Sequence, residues 1–145
     1  MKKVPIDRVK AIKLNEDIDP AKLEACRAYA RMMNTCDWSH IVGWLNDDLK
    51  YNSSWVKEEM IGKDNYLNYI KGKIETLKRS TRQVWAEIAY TDAFGAGPCV
   101  VLAQGTPENL IATMLMTMRE GKISEMCMSI IPAPQECRRT GEFPK

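Results

Sequence analysis

Apolar positions between residues 20 and 79 recur at helical spacing, and from residue 82 onward they recur at strand spacing. Asp19-Pro20 reads as a helix start, with Asp as N-cap and Pro in the first turn. Leu23, Cys26, Ala30 and Met33 then repeat on one face, with Tyr29 beside them, which predicts a helix over about 20–35. Asp37 caps a second, shorter helix whose apolar side is Ile41, Trp44 and Leu45. Asn46-Asp47-Asp48 ends it and opens a strand, LKYNS, and Trp55 to Ile61 is a second strand. Gly62-Lys63-Asp64 starts a third helix with Tyr66, Leu67, Ile70, Ile74 and Leu77 as its apolar stripe. Asp64 in its first turn and Lys78 and Arg79 in its last suit the helix macrodipole.

Beyond Arg82 the pattern predicts strands near 83–91, 98–104, 110–118 and 122–131. FGAGP, GTPEN and REG break them, and the short REG break predicts a tight hairpin. The tail IPAPQECRRTGEFPK is rich in Pro and charge. It is expected to leave the sheet and lie on the surface or on a partner chain. The division is an arm at 1–19 with a short helical turn, one domain at 20–131 and a tail at 132–145. Helices followed by a meander of antiparallel strands make an α+β pattern. A curved sheet needs its concave face covered, and the three early helices can cover it. Incomplete closure leaves a cavity between sheet and helices.

Composition narrows the function classes. A formal net charge of +2 supplies no global field for nucleic acid or an anionic membrane. No stretch approaches the ~20 apolar residues of a spanning helix, and no signal-peptide core follows the initial lysines. A cytoplasmic protein with neither a nucleic-acid nor a membrane partner is expected. Five cysteines without a CxxC spacing argue against a disulfide framework or a zinc ribbon and for reduced, buried thiols. His40 is the only histidine, so no multi-histidine metal site is expected, nor any cofactor. The basic residues of the third helix read as a solvated face.

The stretch Tyr29 to Gly62 carries a resemblance. Tyr29 on the first helix, the Cys36-Asp37 turn, Leu45-Asn46-Asp47-Asp48 entering a strand, Gly62 before the third helix, and Gly121-Lys122-Ile123 before the last strand resemble the nuclear transport factor 2-like superfamily. That group includes ketosteroid isomerases, SnoaL-like polyketide cyclases, limonene epoxide hydrolases and scytalone dehydratases, and the resemblance spans roughly residues 20 to 131. It implies a cystatin-like cone: a strongly curved, mostly antiparallel sheet wrapped around three N-terminal helices and enclosing a pocket. It implies fold more than function, because many chemistries share this frame. By resemblance, Tyr29 falls where the isomerases keep a tyrosine that hydrogen-bonds the substrate oxyanion. Ser53 takes the place of their general base. Met114, or Thr113 with the hairpin gapped differently, takes the place of their second oxyanion donor. A serine without a base does not abstract a carbon-bound proton, and methionine donates no hydrogen bond, so the isomerase chemistry is not expected to carry over.

The candidate site residues each have a plain and a functional reading. Tyr29 is a core tyrosine or a hydrogen-bond donor to ligand. Ser53 and Trp55, two apart on a strand, share a face, and Trp55 is a core aromatic or a pocket wall. Glu87, inside the apolar run QVWAEIAY and on the face of Trp85, is either an outward residue or, if inward, the candidate acid or base. The methionines at 114, 116, 118, 126 and 128 fill a core or dimer interface, or form an adaptable apolar pocket lined by Met114 and Met126. His40, Asp37, Asp47 and Asp48 read as structural. Two classes of function remain. One is a dimeric pocket protein for a small apolar or aromatic molecule, with or without lyase, isomerase or hydrolase chemistry through Tyr29 and Glu87. The other is a non-catalytic interaction module that uses the outer sheet face.

Overall fold

The computed structural model describes residues 19–145; the arm expected before Asp19 lies outside the described residues. The Asp19 carboxylate accepts from the backbone N–H groups of Ala21 and Lys22 at 3.0 and 3.3 Å. With Pro20 in the first turn, it starts helix α1, Pro20–Thr35. Cys36 ends that helix in the left-handed conformation, its N–H returning to the Met32 carbonyl. α1 buries a continuous stripe that includes Cys26, Tyr29, Ala30, Met32 and Met33.

The second helix is a single turn, α2, Ser39–Val42. Asp37 accepts from both the N–H and the hydroxyl of Ser39. The helix is shorter than its apolar spacing suggested. Trp44 lies outside it, and Leu45, fully buried, opens strand β1, Leu45–Ser53. The next strand is also shorter than expected: β2 is only Met60–Ile61. The reason is local. The Ser53 hydroxyl accepts from the Trp55 N–H at 3.1 Å, which turns the chain off the strand direction. Gly62, at φ 102°, makes the bend into helix α3, Lys63–Arg79, which buries Tyr66, Ile70 and Ile74.

The later strands are β3 (Val84–Thr91), β4 (Gly97–Gln104), β5 (Leu110–Arg119) and β6 (Lys122–Ser129). The β5–β6 hairpin turns through Glu120 and Gly121, both at positive φ, in the hand that matches strand twist. The tail does not stay off the sheet. Arg138–Arg139 return as β7 and pair antiparallel with β3 at residues 89 and 90. The resulting sheet has the order β2-β1-β6-β5-β4-β3-β7, antiparallel except for β1 against β6. β2 and β7 are its free ends, so the sheet is curved but unclosed.

The strand period of two separates two cores. Ala86, Ile88, Val100, Leu102, Met114, Met116 and Met126 face the helices and pack with Tyr29, Met32 and Tyr66. Ala89, Cys99 and Val101 face the other way and pack with Cys137 from the tail. No helix among the described residues is long and apolar enough to cross a membrane.

Candidate functional site

Between helices and sheet the interior is built from tyrosine and methionine. Tyr29 reaches it from α1, Tyr66 from α3, Tyr51 from β1, and Met114 and Met126 from β5 and β6; all are buried. The rings of Tyr51 and Tyr66 lie 5.1 Å apart, and Tyr69 stands 5.5 Å from Tyr51, at the tilted geometry that aromatic pairs favour. The Tyr51 side chain stands beside those of Tyr69 and Ser53. The hydroxyls of Tyr29 and Tyr66 are buried and have no hydrogen-bond partner among the described residues. Such a group usually meets a partner, because burying it unpaired costs about 1–3 kcal/mol.

Burial holds both hydroxyls in the protonated form. Desolvation first, and then the neighbouring tyrosines, push Tyr29 and Tyr66 well above the ordinary phenol range. Tyr51 is shifted in the same direction, chiefly by burial. These groups are therefore hydrogen-bond donors, not bases. The buried polar side chains of the described residues other than tyrosine are Glu87, Thr91 and Thr113, and all three sit on strand positions that face the outer layer. Among the described residues, the concave interior thus has donors and apolar surface, and no buried carboxylate or imidazole beside Tyr29.

The candidate residues separate accordingly. Tyr29, Met114 and Met126 are together on the concave side. Ser53 lies at the end of β1, opposite Met128 in register, and is half-buried. Trp55 does not share its face. The strand has ended, and the indole is 57% exposed in the following turn. Glu87 points away from Tyr29. It is 1% exposed on the outer face, where it accepts from Arg139 Nε and Nη2 at 2.9 and 2.7 Å and from the Gly141 N–H at 2.8 Å. Of the two alternatives left open for Glu87, outward or inward, the strand places it outward, but the tail buries it there and it anchors that segment.

Sequence reasoning passed over Tyr66, Tyr51 and Tyr69. The available signal was the tyrosine in KYNS with the pair three apart in NYLNY, which puts three hydroxyls where an apolar interior was expected. It also passed over Asn34. The Asn34 amide donates to the carbonyls of Ala86 and Pro144 at 2.8 and 2.7 Å and accepts from the Ala86 N–H at 2.7 Å. No group of three or more His, Cys, Asp or Glu that could hold a metal occurs among the described residues.

The described residues form clefts on the surface. One, of about 400 Å³, lies where the C-terminal ends of α1 and α3 meet the start of β3, and Met33, Asn34, Leu77, Lys78, Arg82 and Val84 line it. Met33 stands one turn beyond Tyr29 on the same face of α1. Another, of about 380 Å³, lies on the outer sheet face among Phe94, Leu115, Thr117, Glu125, Cys127 and Ile131.

No family model matches the sequence, and no curated protein does either. Solved structures do match. A SnoaL-like protein of unknown function from Burkholderia thailandensis superposes with a TM-score of 0.59 at 9% identity, over 77% of this chain and 94% of that one. An NTF2-like protein of unknown function from Cytophaga hutchinsonii gives 0.53 at 15% identity, over 74% and 87%. An LEH-like epoxide hydrolase from M. tuberculosis gives 0.52 at 14% identity, over 75% and 81%. The helices laid in a curved, unclosed sheet, together with these likenesses, identify the chain as an α+β protein of the nuclear transport factor 2-like, cystatin-like fold.

Proposed function

We propose that the concave interior binds a small, largely apolar or aromatic molecule carrying at least one hydrogen-bond acceptor. The observation that carries this reading is the pair of buried, unpartnered hydroxyls on Tyr29 and Tyr66. Two protonated donors set among apolar side chains suit a carbonyl, ether or hydroxyl oxygen on a hydrophobic frame. Methionine walls support it, because Met114, Met116 and Met126 change rotamer at low cost to accommodate a ligand. The cleft at Met33 is the proposed entrance. Binding is favoured over acid–base catalysis, since Glu87 is turned to the outer face and engaged with Arg139. A titration series of aromatic, terpenoid and steroid-like compounds followed by thermal shift tests the proposal. Stabilisation by an acceptor-bearing compound, reduced in Tyr29→Phe, is the expected result. If no compound stabilises the wild type, the reading fails.

A second reading has its own observation. Phe94 is 78% and Ile131 68% exposed, and they flank the apolar outer groove. Large exposed apolar side chains in one patch mark association surfaces, and we propose pairing of two copies through this face. Phe94→Glu with Ile131→Glu should lower the mass measured by light scattering from dimer to monomer. A monomeric wild type refutes it.

A further inference from the structure

The outer core contains a thiol cluster that ligand binding does not use. Thr91 on β3, Cys99 on β4 and Thr113 on β5 occupy neighbouring positions on one face of the sheet. Cys137, directly after the short 3-10 turn Pro134–Glu136, closes over them. All four are buried, with Cys99 at 0% and Cys137 at 6% exposure. Cys99 and Cys137 pack in one buried cluster, and Cys137 Sγ lies 3.7 Å from the Ala133 carbonyl oxygen.

This pair differs from an ordinary buried thiol. Cys26, alone among apolar neighbours, is pushed up to about 12 by burial. Cys137 moves the other way. The Cys99 thiol, as donor, holds it below the ordinary thiol range against the opposing effect of burial, and the Thr113 and Thr91 hydroxyls add to the pull. Cys99 is correspondingly raised. Cys137, at 6% exposure, is the sulfur that a small molecule can reach first, and Cys99, at 0%, stands behind it as the resolving thiol.

We propose that Cys99 and Cys137 form a reversible dithiol–disulfide pair, oxidised by a small hydroperoxide, whose disulfide staples the C-terminal segment to β4. The Cys137 thiolate attacks the peroxide oxygen, an S–O bond forms and the O–O bond breaks. The departing alkoxide or hydroxide takes up the proton released by Cys137. The Cys99 sulfur then attacks the sulfenic sulfur of Cys137; an S–S bond forms, the S–O bond breaks, and the hydroxide leaves as water with the Cys99 proton. In sum, two thiols and one hydroperoxide give one disulfide, one alcohol or water, and one further water. Cys137 must move toward Cys99 to reach the ~2.05 Å sulfur spacing. It sits on a segment tied locally by its own N–H to the Pro134 carbonyl. Its neighbours Arg138 and Arg139 form β7, so the crosslink would fix the strand that carries Arg139 to Glu87. It would also close the long loop that holds β5 and β6, which constrains the unfolded chain.

The test uses the whole chain, reduced and then exposed to hydrogen peroxide. The reaction is quenched, and the protein is alkylated in denaturant and mapped by mass spectrometry. The expected product is lighter by two hydrogens, has two fewer alkylation sites, links the peptides of Cys99 and Cys137, and reverts with dithiothreitol. Its unfolding midpoint rises by several degrees over the reduced form. Cys36→Ser with Cys127→Ser, which removes the half-buried thiols and leaves the pair intact, should retain the link. Cys99→Ser should convert the product to a sulfenic or higher acid at Cys137. Full alkylation of both residues after peroxide overturns the proposal. So does a disulfide that maps to any other pair, or sulfinic acid at Cys137 of the wild type without a crosslink. The mapping on wild type alone decides the matter if a serine variant fails to fold.

Discussion

Arg139→Met isolates the contact on which the C-terminal segment depends. The guanidinium makes two hydrogen bonds to Glu87 and one to the Pro107 carbonyl at 3.1 Å, and its side chain is 15% exposed against 1% for Glu87. Methionine keeps the aliphatic volume and leaves the carboxylate with the Gly141 N–H as its remaining partner named above. Breaking a buried ion pair by removing one member costs about 3–5 kcal/mol, most of it the uncompensated charge. At roughly 3 °C per kcal/mol for a domain of this size, the midpoint of thermal unfolding should fall by about 9–15 °C. Adding Glu87→Met to the same chain removes the orphaned charge and should recover much of that loss. Circular dichroism gives the midpoint. Hydrogen exchange gives the location, because the Ile88 N–H bonds to the Glu142 carbonyl at 2.9 Å and should lose protection when the tail lifts. A fall of less than about 2 °C, with Ile88 still protected, would refute the reasoning, since Glu87 would then have to be solvated or the tail held by other contacts.

Asn34→Ala removes three hydrogen bonds that tie α1 to β3 and to Pro144. It should cost about 2–3 kcal/mol by denaturant unfolding, because the Ala86 N–H and C=O lose their side-chain partner. Tyr66→Phe deletes a hydroxyl with no partner in the described structure, so the ligand-free protein should be unchanged or stabilised by about 1 kcal/mol; a clear destabilisation would mean that the hydroxyl is already satisfied. Asp48 is held below the ordinary carboxylate range by Arg119, and Asp37 by Ser39. A depressed acid stabilises the fold above its unfolded pKa, near 3.8, and that contribution disappears as pH falls through the lower folded value. Asp48→Asn should therefore flatten the acid limb of a melting-temperature profile below about pH 4, with the wild type and variant keeping a constant offset if the pair is formed at no pH.

The sequence was informative where a signal was local. Asp19-Pro20 marks the first helix because capping needs only the next three residues. Glu120-Gly121 marks the hairpin because the turn demands positive φ at both places. The strands after residue 83 lie within a residue or two of their expected bounds, since their apolar runs are bounded by glycine and proline. Leu45 was misplaced because an apolar residue one step past Trp44 continues a helical stripe as well as it opens a strand; pairing with Ile123, 78 positions away, settles the matter. The Trp55 strand was overextended for a related reason: a serine hydroxyl turned back to its own chain competes with the ladder. The tail was misread altogether. Proline and charge suggest a segment without a partner, yet Arg139 and Glu142 are charged because their partners, Glu87 and Arg27, wait on other elements.

That misreading bears on function as well as fold. A carboxylate within an apolar strand is a candidate catalyst only while its partner is unknown. Once Arg139 is placed beside it, the same carboxylate becomes a tether on the outer face, and no other carboxylate among the described residues is buried. What the interior retains is the pair of tyrosine hydroxyls, and burial keeps them protonated. Protonated donors of this kind hold and polarise an acceptor, and this supports the proposed binding function. The contact that fixes the last strand to the sheet edge is also the one that holds Glu87 on the outer face, away from Tyr29, and so it supports the proposed binding function over acid–base chemistry.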